Sequence, residues 1–439
     1  MRLLIKEVTV IPMTGPEEII KNGAIAVEDG RIAYVGPAEE APSDFRPNRV
    51  LRGPNFVALP GLVNAHTHAA MTLFRGYADD LPLKRWLEEA IWPLEAKLRG
   101  EDVYWGTLLA CAEMLLGGTT TFADMYFFMD EVAEAVDKSG MRASLARGLI
   151  GTLPGADKAL KESEEFVRRW HGGAGGRVTC MLGPHAPYTC PPAYLEEVVG
   201  LAEKLRVGIH IHVSETAHEV EEIRRQYGCS PVEMLEKAGV FRVPVLAAHG
   251  VHLSREDMEI LARYKAAVVH NPESNMKLAS GIAPVTELLA AGVTVALGTD
   301  GAASNNNLDM WEEMRTAALL AKVSCKDPEA LPAYQALEMA TLGGAKALGL
   351  ADQIGTLEVG KRADIVLVDL ARAHLQPPHD PISHLVYAAR ASDVDTVIVD
   401  GRIVVEGGRL ITLDLGEIMA RCRESARRLV GKPPRRSLL

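Results

Sequence analysis

Apolar and polar positions along the chain follow two rhythms, and these divide it into three stretches. The first 58 residues alternate in short runs. Leu3 to Ile11, Ala24 to Val27 and Ile32 to Val35 predict strands, with a hairpin turn at Asp29-Gly30 between the last two. The same rhythm returns near the other end. Asp364 to Val368, Thr396 to Val399 and Ile403 to Val405 predict strands, with Asp400-Gly401 turning the last pair, and a closing helix follows over about Leu415 to Leu429. Between these ends the pattern changes to solid apolar runs separated by helix-length amphipathic stretches such as Tyr104 to Leu116, Pro192 to Leu205 and Ser254 to Tyr264. Eight runs read as buried strands: Phe56 to Val63, Thr119 to Ala123, Arg142 to Arg147, Arg177 to Leu182, Val207 to His212, Val243 to Ala248, Ala266 to Val269 and Val293 to Leu297. Eight β-α units predict an α/β fold, a distorted (β/α)8 barrel over residues 59–352. The terminal stretches, 1–58 and 353–439, predict one small β-sandwich assembled from both ends of the chain. A doubly wound open sheet is the alternative, but no GxGxxG follows the first strand.

Composition changes this picture little. With 439 residues and 48% hydrophobic content, the chain is long enough for a barrel and an appendage. A net charge of −11 disfavours nucleic acid as a partner, because a phosphate backbone calls for a basic surface. Six cysteines without CxxC pairing suggest reduced thiols and a cytoplasmic enzyme. No apolar run reaches the ~20 residues of a membrane span.

The candidate chemistry lies where the predicted strands end. In a barrel of this kind the active site is built at the C-terminal ends of the strands. Strand one ends in His66-Thr67-His68, two imidazoles on one face of a strand and spaced to hold one metal ion. Strand four runs into His185. Strand five ends in His210-Ile211-His212-Val213-Ser214-Glu215, strand six in His249, strand seven in His270-Asn271 and strand eight in Thr299-Asp300. Any one of these is equally a buried structural residue. Together they predict a metal site.

Several longer stretches carry a resemblance. They are Pro60-Gly61-Leu62-Val63-Asn64-Ala65-His66-Thr67-His68, Arg75-Gly76-Tyr77-Ala78-Asp79-Asp80, Trp92-Pro93-Leu94-Glu95, Gly183-Pro184-His185-Ala186-Pro187-Tyr188, His212-Val213-Ser214-Glu215-Thr216 and His270-Asn271-Pro272-Glu273-Ser274-Asn275-Met276-Lys277-Leu278. With them the chain resembles the amidohydrolase superfamily, and within it the 5′-methylthioadenosine/S-adenosylhomocysteine deaminases. The resemblance implies hydrolytic deamination of a 5′-modified adenosine, with a free base or triazine as the alternative substrate and the same metal-assisted chemistry. It implies His66, His68, His212 and Asp300 as ligands of one divalent ion per subunit, expected to be zinc, with a position left open for water. Binuclear relatives use a lysine after strand four, and Cys180 to His185 contains none. The resemblance further implies that His249 holds the attacking hydroxide and that Glu215 passes a proton to the purine ring. Asp300 takes the water proton and stands beside the substrate, as does Glu215. Glu95 accepts hydrogen bonds from the ribose diol, Arg147 reaches the 5′ substituent and His185 contacts the purine edge. Asn271, Ser274, Asn275 and Lys277 are expected only to shape their loop. Some relatives carry a second arginine after strand three. Here Lys158 and Lys161 are the nearest cations, without an arginine's fork. The expected partner is a small-molecule nucleoside, in a homo-oligomer. A metal-free assembly protein on the same scaffold is a third reading, but it would have lost these ligands, and all four are present.

Overall fold

A computed structural model describes residues 2–431 of the chain. Eight parallel strands follow one another round a barrel in sequence order: Leu62–Thr67, Thr119–Tyr126, Arg142–Leu149, Val178–Pro184, Ile209–Val213, Val245–His249, Ala267–His270 and Thr294–Leu297. The barrel is therefore the predicted one. Strand alternation decides which residues face the bore. Ala123, Ala146, Ala267 and Ala296 belong to one cluster of small, buried residues. They share a face with Met125 and Gly148 farther along two of these strands. Small residues low in the bore leave width for imidazoles above them.

The first and eighth strands are joined not by a ladder but by side-chain bonds and a single backbone bond. The Asn64 amide donates to Thr299 Oγ1 at 2.8 Å and its carbonyl accepts from the Thr299 N–H at 3.0 Å. The Asp300 N–H donates to the His66 carbonyl at 3.0 Å, and Thr67 Oγ1 donates to the Asp300 carbonyl at 2.7 Å. Gly298 permits this approach, because a Cβ there would lie 2.8 Å from His66 backbone atoms. The seam thus brings the first and last candidate ligands together.

Both termini contribute to a second, mixed sheet of nine strands. Its middle strand, Phe56–Pro60, pairs in parallel with Arg2–Val10 and antiparallel with Ile365–Asp369, which links the N-terminal and C-terminal parts. The run Phe56 to Val63, expected as one strand, is therefore two. At Gly61 the chain leaves the mixed sheet, its N–H bonding the Asp364 carbonyl, and the Leu62 N–H bonds Gly118 in the barrel. A Cβ at Gly61 would meet Thr120 Oγ1 at 2.1 Å, so only glycine fits the crossing. The closing helix spans Leu415–Val430. Among the described residues no helix is long and apolar enough to cross a membrane.

Candidate metal centre and active site

Strand ends deliver the polar groups, and the backbone is strained where they arrive. Ser214, His249 and Asp300 all have positive φ, at 52°, 75° and 59°, conformations that non-glycine residues rarely adopt. At each, the chain turns off a strand at the barrel mouth.

His66, His68 and Asp300 offer one ligand atom each within 4.8 Å of one another, and so do His66, His212 and His249. The two groups share His66. His68 Nε2 and His66 Nε2 lie 3.3 and 3.5 Å from Asp300 Oδ1. The tautomers follow from the outward side of each ring. His68 Nδ1 lies 2.6 Å from the Met125 carbonyl and His212 Nδ1 lies 2.7 Å from the His185 carbonyl. A carbonyl only accepts, so both Nδ1 atoms carry the hydrogen and, in the neutral ring, each Nε2 presents a bare lone pair. Those lone pairs face each other at 3.3 Å. His66 Nε2 is buried and has no hydrogen-bond partner among the described residues beyond the 3.5 Å approach to Asp300. Two bare acceptors, a third orphaned one and a carboxylate around one point fit a cation. Burial pushes the His66 imidazole down to about 4 and His212 well below its ordinary value, which keeps them neutral as ligation requires. His68 differs. Burial lowers it, but Asp300 opposite draws it up to about 9, so a cation would compete with a proton there.

Around this centre stand supporting groups. Asp300 Oδ2 accepts from Ser274 Oγ and Ser304 Oγ, each at 2.7 Å. His249 Nδ1 faces Asn275 Oδ1 at 2.9 Å, which turns its Nε2 toward Glu215 Oε2 at 3.7 Å. Ser274 and Asn275, expected only to shape a loop, therefore touch the centre directly. Asp124 was not singled out in the sequence. It is fully buried and accepts the Ala69 N–H at 2.9 Å, fixing the turn after His68. Burial raises the Glu215 carboxyl, and neighbouring His249 only partly opposes that. Glu219 grips the loop carrying Glu215, accepting the Ser214 and Glu215 N–H groups at 3.1 and 2.7 Å.

A cavity opens over the centre. His68, His212, His249, Asp300, Glu215, Glu95 and His185 line it, with Trp86, Trp92, Tyr126 and Tyr188 as aromatic walls. Burial raises the Glu95 carboxyl, with the Tyr126 hydroxyl beside it working the other way. The His185 ring lies 5.0 Å from that of His212, and burial pushes it down to about 4. Two residues do not join the site. Arg147 is not among the residues lining the cavity and pairs with Glu162 on the flanking helix Ala156–Trp170. His270 alternates with Val269 and Asn271 and lines a separate cleft with Pro284 and Ala317. Lys158 and Lys161 are exposed on the helix that carries Glu162.

The model of the amidohydrolase family matches residues 57–404. A 5-methylthioadenosine/S-adenosylhomocysteine deaminase of Desulforudis audaxviator is 60% identical over 98% of this chain and 99% of its own. The crystal structure of an adenosine deaminase from Xanthomonas campestris with bound zinc superimposes with a TM-score of 0.94 at 41% identity, covering 97% of this chain and 98% of that one. A zinc complex of atrazine chlorohydrolase from Arthrobacter aurescens superimposes with a TM-score of 0.89 at 28% identity, covering 97% of this chain and all of that one.

Proposed function

The chain belongs to the amidohydrolase family, and on that premise we propose that it hydrolyses the 6-amino group from a 5′-modified adenosine, 5′-methylthioadenosine or S-adenosylhomocysteine, giving the matching inosine and ammonia. The observation that carries this reading is the convergence of bare imidazole nitrogens and Asp300 on one point, with Glu215 and His249 facing each other beside it. His66, His68, His212 and Asp300 would hold one divalent ion per subunit, taken as zinc. Bound there, the ion lowers the pKa of water toward ~7.

The side chains then divide the proton work. His249 orients the attacking water. Its oxygen forms a bond to C6 while its proton passes to Asp300. Glu215, whose acid form burial favours, donates its proton to N1. The proton on Asp300 moves to the departing amine, the C6–N bond breaks and ammonia leaves. The remaining hydroxyl proton returns to Glu215 as the carbonyl of the inosine forms. Glu95 accepts from the two ribose hydroxyls, and His185 stands at the purine edge. Among the described residues no lysine or arginine lines the cavity, so a neutral methylthio group suits it better than a homocysteine carboxylate.

Incubation with 5′-methylthioadenosine, followed by the ultraviolet shift from adenine to hypoxanthine, tests the reading directly. No shift with any adenine nucleoside rejects it. Glu95→Ala should lower kcat/KM for nucleosides about 10- to 100-fold, the value of losing charge-assisted hydrogen bonds. Unchanged kcat/KM would remove ribose recognition and point to a free base.

A further inference from the structure

His210 is used by nothing described so far. It lies two residues before His212, so it shares the bore face, and it is fully buried. Its ring meets His66 edge-on, with centroids 4.9 Å apart and planes at 81°. His210 Nε2 lies 2.8 Å from His66 Nδ1. One of these nitrogens must donate. If His210 donated, neutral His66 would carry its hydrogen on Nε2 and could not ligate. His66 Nδ1 must therefore donate, leaving neutral His210 with its hydrogen on Nδ1. That nitrogen is buried and has no partner among the described residues. A space-filling role does not account for this arrangement, because an apolar side chain would fill the bore without burying an orphaned N–H. The other two imidazole ligands rest on backbone carbonyls, of Met125 and His185, which no substitution removes. His66 alone of the three has its tautomer set by a side chain.

We propose that His210 is a positioning residue for the metal centre: by accepting the His66 Nδ1 hydrogen it fixes the tautomer and ring angle that turn Nε2 toward the ion. The inference rests on the ligand set given above but not on the substrate. The test is zinc affinity, measured by competition with a chromophoric chelator in the absence of nucleoside. His210→Phe fills the bore without an acceptor and should weaken zinc binding about 10- to 100-fold, the usual effect of losing such a partner. His210→Gln places an amide oxygen near the lost Nε2 and should stay within about three-fold of the parent chain by the same reasoning. If the phenylalanine chain does not fold, His210→Asn replaces it. Its shorter amide stops short of His66, so its affinity should fall while that of His210→Gln holds. Equal zinc affinity in parent, Gln and Phe or Asn chains overturns the proposal, as does equal weakening in Gln and the acceptor-lacking variant. A chain with the expected zinc pattern that deaminates no adenine nucleoside would defeat the functional reading and leave this one standing.

Discussion

Two buried polar clusters sit at opposite ends of the same barrel, and they are built on opposite rules. At the lower end, Arg142 begins the third strand and forks onto Asp364, with bonds of 2.9 and 3.2 Å, both side chains being at most 2% exposed. The Asp400 N–H adds a bond to Asp364 at 2.7 Å, and Arg362 pairs with Asp400. Charge there is matched by charge across the junction with the terminal sheet. At the mouth, the hydrogen bonds instead serve the outer side of each ring, and the inner nitrogens are left facing one another. A cluster that satisfies itself holds the fold together. A cluster whose satisfied groups all point its unsatisfied ones at one place is built for something outside the chain.

The sharpest way to break this contrast is Asp300→Asn. It keeps the shape and removes the ligand charge, and should cut kcat/KM at least about 1000-fold, roughly 4 kcal/mol of barrel-mouth chemistry. Stability of the metal-stripped protein should fall only modestly, because His68 loses its ion-pair partner while a buried carboxylate is also removed. A large loss of stability would make the mouth a structural cluster like the lower one. Next, Glu215→Gln should lower kcat about 100- to 10,000-fold with zinc content unchanged, as read by metal analysis and steady-state kinetics. Arg142→Met tests the other end. Stranding Asp364 should cost about 3–5 kcal/mol in urea unfolding while zinc per folded chain stays constant. Zinc lost in step with stability would show that the two ends are one unit.

The smallest effect concerns Glu219. Burial, with the nearby Glu215 carboxylate, raises its carboxyl to about 8 from 4.5, and the backbone N–H groups it accepts only partly oppose this. The folded chain therefore holds this proton where the unfolded chain has released it. The stability this supplies is complete below about pH 4.5 and is lost as pH rises through 8. Glu219→Gln should flatten the fall in Tm across that window, and an unchanged slope would remove Glu219 as its source.

Much of the barrel was legible because its signals are local. Solid apolar runs, helix-length amphipathic segments and Gly breaks depend on neighbours within a turn or two. His66 and His68 could be read as a pair because i and i+2 on one strand need no knowledge of the fold. What failed was facing. His270 stands at a strand end like the others, but odd-even alternation sends it outward, and that parity is visible only once the bore-facing member of its strand is known. Asn275 and Ser274 were missed as partners of His249 and Asp300 because the loop carrying them reaches those residues only through the closed barrel. The crossing at Gly61 was hidden inside one continuous apolar run, since two sheets in succession look like one long strand.

The residue types themselves, a strand-borne histidine pair, further imidazoles and a late aspartate, already restricted this chain to chemistry in which neutral nitrogens and a carboxylate serve a cation. Tertiary structure decided which imidazoles count and which nitrogen of each is free. Those choices depend on acceptors such as the Met125 and His185 carbonyls and the His210 ring, and for His68 and His66 the acceptor lies on a different strand. A proton's place on an imidazole is set by what lies within about 3 Å of it in space, and distance along the chain carries no record of that.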